Sequence, residues 1–292
     1  FIALGLFSNG FANQSFIYVL YLFLLIPGIF VAVSQLGFDT DIRRAIAFNL
    51  SGPLCLGIVA VFCYKRTVTF QQLKMILLAL MLPLLSMTVY LFLYTPNLQE
   101  VITSTSSNFE ASGGFGPNQV ATVLGIGVFV MAARYFMSKE TVFLKGLDLL
   151  LLGLFGFRAL VTFSRGGVVT AIIMILFFLG VYYFKVNLKK KFQIKASLIV
   201  FLGIIILTWL VSTIQTSGFI EKRYANQDAA GREKEDITTG RTDLVAFELS
   251  EFVNNPFLGI GVGKIKEQRF NETGVQAASH NEMSRIVAEH GL

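Results

Sequence analysis

The sequence predicts an all-α polytopic membrane protein with about seven transmembrane helices and a large polar segment near its C-terminal end. Three observations predict it. Hydrophobic residues make up 54% of the chain, charged ones only 14%, and there are 29 Phe, a balance too apolar for an ordinary soluble domain. Predominantly apolar runs close to the ~20 residues that cross a hydrocarbon core recur along the chain. Basic residues gather in alternate connections between those runs.

Taken in order, the runs lie at residues 16–34, 46–64, 75–94, 117–137, 146–163, 167–184 and 196–214, with Pro27 and Gly28 inside the first. Residues 1–7 read as the remnant of an earlier helix. The chain starts at Phe1 without Met or a charged leader, and is read as a fragment without a signal peptide. Its two cysteines, Cys55 and Cys63, both sit in one apolar run, a placement that supports neither a disulfide framework nor a Cys-ligated metal. Two domains are expected: a transmembrane bundle over 1–214, and an external loop of short helices over 215–292 that leads into further transmembrane helices.

Charge sets the expected orientation. From Gln215 onward there are 9 Lys+Arg against 12 Asp+Glu, leaving 15 basic and 6 acidic residues before it out of 24 and 18 in the chain. This asymmetry speaks for orientation in a membrane and against nucleic-acid binding. Lys65, Arg66 and Lys74, then Arg134, Lys139 and Lys145, then Lys185, Lys189, Lys190, Lys191 and Lys195 occupy alternate loops, which are therefore expected on the cytoplasmic side. Residues 39–44, the Lys- and Arg-free stretch 95–116, the turn at Ser164 and Arg165, and everything after Gln215 then share the external side.

The turn Thr162-Phe-Ser-Arg-Gly-Gly167 puts a guanidinium at the membrane surface beside two glycines that permit close approach. Snorkelling to lipid headgroups is the plain alternative. Arg158, two helical turns earlier on the same face, is costly inside a span and either faces a polar cavity or pairs with an acid. Farther on, residues 241–254 read as an amphipathic helix with Leu244, Val245, Phe247, Leu249 and Phe252 on its apolar side, ended by Asn255 and Pro256. Gly259, Gly261 and Gly263 form either a flexible loop or a backbone cradle near a phosphate. Ser279-His280-Asn281-Glu282 reads as a capping box that puts His280 in the first turn of a helix, where the positive helix end keeps an imidazole neutral and able to accept a proton. His290 reads as a helix C-terminal residue with no role.

Ser164-Arg165-Gly166, Gly240-Arg241, Asn255-Pro-Phe-Leu-Gly-Ile-Gly261, and His280-Asn281 followed by Ala288-Glu-His-Gly-Leu292 resemble the blocks of the O-antigen ligase and O-antigen polymerase superfamily. Gly113-Gly-Phe-Gly-Pro-Asn-Gln119 resembles a further block of that family, so the resemblance runs from about residue 110 to the end. One departure is Glu-Met-Ser after Asn281, where many members carry an aromatic residue. The resemblance implies a GT-C type glycosyltransferase of the bacterial cytoplasmic (inner) membrane, working at its outer face without metal or other cofactor. The donor is a glycan on undecaprenyl pyrophosphate; the acceptor is another lipid-linked glycan, a lipid A core of lipopolysaccharide, or a protein hydroxyl. It further implies Arg165 and Arg241 on the pyrophosphate, His280 as general base, Asn281 as an orienting residue, and Arg158 and Gly261 as substrate contacts.

Two other readings stand beside this one. Asp39 and Asp41 form an Asp-x-Asp, but Arg43 and Arg44 follow and no further ligand is in view, so no metal site is expected there. A transporter or flippase of a lipid-linked saccharide uses intramembrane charge without chemistry and needs no His at a helix start.

Overall fold

A computed structural model describes residues 12–37, 41–95, 97–137, 141–234, 240–274, 277 and 279–291. Residues 1–7, Asp39 and Lys139 of the sequence reading lie outside the described residues. The described helices, in order, are α1 Phe16–Leu24, α2 Ile26–Gln35, α3 Ile42–Cys63, α4 Phe70–Tyr94, α5 Leu98–Val101, α6 Pro117–Met137, α7 Val142–Leu160, α8 Arg165–Lys185, α9 Leu188–Gln215, α10 Phe219–Tyr224, α11 Arg241–Asn254, α12 Lys264–Thr273 and α13 Glu282–His290. Among the described residues the only β pairing is an isolated bridge between Gln227 and Glu233.

Among the described residues six spans are long and apolar enough to cross a membrane: α1 with α2, α3, α4, α6, α8 and α9. This is an all-α polytopic membrane protein. Outward-facing Leu82, Phe177 and Ile199 are 69–75% exposed, as lipid-facing side chains are and water-facing ones rarely are in such numbers. The fifth expected run, 146–163, forms α7, but Lys145, Asp148 and Arg158 make it too charged to join that set. Helix starts follow local chemistry. Thr69 and Gln72 form a reciprocal capping box on α4, with bonds of 3.2 and 2.9 Å, and the Asn187 side chain accepts from Lys190 N–H at the start of α9.

The described chain divides into two compact units, residues 69–235 and residues 1–68 with 236–292. In the first unit α6 is the central helix: 56% of its apolar window is buried, against 11–22% in the other five spans. Its small residues explain this. At Gly167 of α8, a Cβ would lie 2.5 Å from the backbone N of Thr122, and at Gly125 one would lie 2.7 Å from the Gly167 carbonyl, so α6 and α8 cross backbone to backbone. Leu124, Val130, Met131, Phe155 and Phe201 fill the core around them. Two charges of α7 find partners on neighbouring elements, although the buried Nε and Nη1 of Arg158 have none. Asp148 pairs with Arg134 at 3.1 Å, and Arg158 is fully buried, with Nη2 donating to Leu91 O (2.8 Å), Thr95 Oγ1 (2.7 Å) and Ala111 O (3.1 Å).

In the second unit α1 and α2 break at Leu25, just before Pro27, which cannot donate a helical hydrogen bond. Leu25, Ala32, Leu36, Leu50 and Val262 form one core, and Ile260, Ile265 and Ala288 form another. Burying a side chain such as Ile265 stabilises by ~1.5–3 kcal/mol. Helix α11 spans the residues expected of it, but its buried stripe is Leu244, Glu248 and Glu251, while Leu249 is 46% exposed. Two carboxylates on the inner face mark it as a helix that buries charge.

Candidate active site

In the unit 69–235, Ser164 precedes α8 and its Oγ donates to Asn118 Oδ1 at 2.6 Å, which joins two of the blocks quoted above. Gly166 meets open space and Gly167 meets α6, so only the second glycine serves close packing. Buried Phe163 has a left-handed backbone (φ 59°), and its carbonyl accepts from Arg223 Nε at 3.0 Å. Arg165 is half-buried within electrostatic reach of Tyr224, as is Arg223, so the turn is a basic corner. Arg158 lies under it in the protein interior, and its guanidinium sits 5.1 Å from the Phe92 ring centre. The three bonds it makes tie α4 and the 108–114 loop to α7.

In the other unit, Arg241 opens α11 behind Gly240 (φ 76°) and is exposed. The capping box expected at Ser279 and Glu282 does not form. Helix α13 starts at Glu282 with Asn281 as its cap, Asn281 Oδ1 accepting from Met283 N–H at 3.0 Å. Ser279 Oγ is buried without a hydrogen-bond partner, and Glu282 turns instead to Arg285. Asn281 wins because its shorter reach to the second following N–H caps the helix two residues later. His280 therefore sits just ahead of the cap, still facing the positive helix end. It is exposed on one side, yet partial burial, and then the Arg241 and Arg269 guanidiniums, hold its pKa below the usual 6.5, while Glu248 pulls weakly the other way. Arg241 and His280 are thus brought into one electrostatic neighbourhood from 39 positions apart.

Two clusters escaped sequence reasoning. Glu248 of α11 and Arg269 of α12 form a salt bridge of 2.8 Å, completed by Ser284 Oγ donating to Glu248 and Arg269 Nη1 donating to Ala277 O at 2.8 Å. Arg285 donates to Glu289 Oε2 (2.6 Å), Asn49 Oδ1 (3.2 Å) and Asn49 O (3.0 Å). Burial pushes the Glu289 carboxyl up to about 7, against the pull of Arg285 and of the Gly263 N–H that donates to it at 2.9 Å. His290, placed by sequence at a helix end, is there, but buried, and desolvation with nearby Arg285 lowers its pKa to about 4. The one available signal was the carboxylate at Glu248, four positions after Leu244 on the apolar stripe.

The glycine run is neither a flexible loop nor a free cradle. Gly259, Gly261 and Gly263 all have positive φ (63°, 96°, 80°). Gly259 N–H donates to Asn255 O, Gly261 N–H to Glu289 O and Gly263 N–H to the Glu289 carboxylate, so none is left for a phosphate. A Cβ on Gly261 would lie 2.6 Å from the Ala32 backbone N. Its glycine is needed to lock the loop against α2.

Among the described residues no group of three or more His, Cys, Asp or Glu side chains is placed to hold a metal ion. Asp41 instead caps α3, accepting from Arg44 N–H at 3.1 Å.

No curated protein and no solved structure matches the chain. The O-antigen ligase family model matches residues 149–292, a stretch that holds Arg158, Arg165, Arg241, Gly261, His280 and Asn281. By this match, residues 149–292 of an all-α membrane protein form an O-antigen ligase family domain.

Proposed function

We propose that this membrane protein transfers a glycan from an undecaprenyl-pyrophosphate-linked donor to an acceptor hydroxyl at the outer face of the cytoplasmic membrane, with inversion and without a metal. The O-antigen ligase domain supports glycan transfer and a lipid-linked partner in a bilayer. The observation that carries the finer reading is the pairing of Arg241 with a His280 whose pKa is held below the ordinary value. A base must be unprotonated to act, and partial burial, helped by the Arg241 cation, favours the neutral imidazole.

In this reading His280 takes the acceptor proton as the acceptor oxygen bonds to the anomeric carbon. The bond from that carbon to the pyrophosphate oxygen breaks, and its electron pair leaves with the pyrophosphate. Arg241 binds that group, where its guanidinium donors offset the developing charge, and the resemblance gives Arg165 the same role. Asn281, as the cap of α13, orients His280. Arg158 and Gly261, assigned to substrate by the resemblance, have contacts that speak instead for holding the fold.

Reconstitution of the protein in liposomes with the pyrophosphate-linked donor tests this. Transfer to a lipid A core or to a second lipid-linked glycan is expected, unchanged by a chelator. Arg241→Ala and Arg165→Ala are each expected to lower kcat/KM for donor by roughly 10–100-fold, the loss of a charge-assisted hydrogen bond. Equal donor turnover in both variants contradicts the assignment.

A further inference from the structure

We propose that a cleft of about 880 Å³ walled by α3, α12 and the start of α13 is a carbohydrate subsite for the acceptor glycan, an identification that rests on the glycan-transfer reading above. The volume falls in the ~300–1,000 Å³ span of ligand sites, with room for a few sugar rings.

The lining has the chemistry of a polyhydroxyl site. Three cations, Arg44, Lys266 and Arg285, are outnumbered by four carboxylates, a balance that disfavours a pyrophosphate or other polyanion. Sugar hydroxyls both donate and accept, and a wall of carboxylates, guanidinium and amide answers both. Asn49 and Glu282 are held in place by Arg285, so those groups are set before a ligand arrives. Ser279 adds a buried hydroxyl with no hydrogen-bond partner, a polar atom in want of one. Phe48 and Phe270 line the same cleft while 78% and 51% exposed. Exposed rings beside fixed polar groups suit the apolar C–H faces of sugars. His280 itself is not in the lining, but its neighbour Ser279 is, so a glycan seated there reaches the segment that carries the proposed base.

Gly52 gives a clean way to fill the cleft. It lines the cavity, and a Cβ added to it meets only Glu282 Oε1, at an ordinary 3.7 Å. The full chain in nanodiscs is to be mixed with trisaccharides based on glucose, galactose or N-acetylglucosamine, and binding read by saturation-transfer NMR. At least one trisaccharide is expected to bind wild type, with the signal reduced about fivefold or more by Gly52→Met and by Phe270→Ala, and with inorganic pyrophosphate unable to displace it. The proposal is overturned by no trisaccharide binding to wild type, by an unchanged signal in either variant, or by displacement with pyrophosphate or a Ser/Thr-rich peptide. Binding needs no turnover, so bound trisaccharide without glycan transfer sinks the transferase reading and leaves the subsite standing.

Discussion

Glu248 Oε1 and Arg269 Nη2 lie 2.8 Å apart, with side-chain exposures of 0% and 2%, and they join α11 to α12 beneath the segment that carries His280. Removing one partner of such a pair leaves the other charged and unpaired in the interior. Glu248→Ala is expected to destabilise by ~3–5 kcal/mol, seen as an earlier thermal unfolding midpoint in detergent. Glu248→Gln should be milder. Because Glu248 is the one group raising the His280 pKa, the neutral variant should also move the acid limb of the transfer rate to lower pH.

Backbone contacts at the glycines give a graded prediction. Gly259→Ala and Gly261→Ala force a Cβ to 2.5 Å from Glu289 O and 2.6 Å from Ala32 N, at positive φ. Gly231 also has positive φ (86°) but meets open space. Limited proteolysis should find the first two largely unfolded and Gly231→Ala close to wild type, with a cost of only ~1 kcal/mol.

Arg158 is predicted to matter for stability before chemistry. Its Nη2 alone serves Leu91 O, Thr95 Oγ1 and Ala111 O inside the protein. Arg158→Ala leaves those buried acceptors without that donor and should cost ~1–3 kcal/mol. Thermal unfolding should register the change, and molecules that remain folded should keep their donor KM.

Stability should respond to pH through Glu289 and His290 in opposite senses. Glu289 titrates at about 7 in the fold against 4.5 when free. The stability it lends is full below pH 4.5 and is lost as pH rises through 7. His290 titrates at about 4 against 6.5, so its contribution is full above pH 6.5 and is lost as pH falls through 4. Glu289→Gln removes the first effect alone. The difference in unfolding midpoint, wild type minus variant, should therefore shrink from pH 5 to pH 8, while the variant on its own gains stability from pH 4 to pH 6.5.

Much of the membrane architecture was legible because a span is a local property of composition. Expected runs and observed helices agree at 117–137 residue for residue, and elsewhere mainly in helix interiors. The end of α11 at Asn255 and Pro256 was equally local. What could not be read were pairings across distance. Nothing near Asn49 points to Arg285, 236 positions away, and nothing in the Gly259 to Gly263 run announces that its N–H groups are spent on Asn255 and Glu289. The start of α13 was misplaced by two residues because Ser279 and Asn281 are both competent caps, and Glu282, which a box from Ser279 would need, pairs with Arg285 one turn on in the same helix. The likeness of short blocks pointed to the family, yet it could not tell that Gly261 is a packing residue.

The account turns on His280. With the protein reconstituted alongside the pyrophosphate-linked donor and a lipid A core or lipid-linked glycan acceptor, transfer by His280→Ala is predicted to fall by ~100-fold or more, while donor binding and the unfolding midpoint stay near wild type. Transfer at the wild-type rate in a folded His280→Ala protein would contradict the assignment of the base.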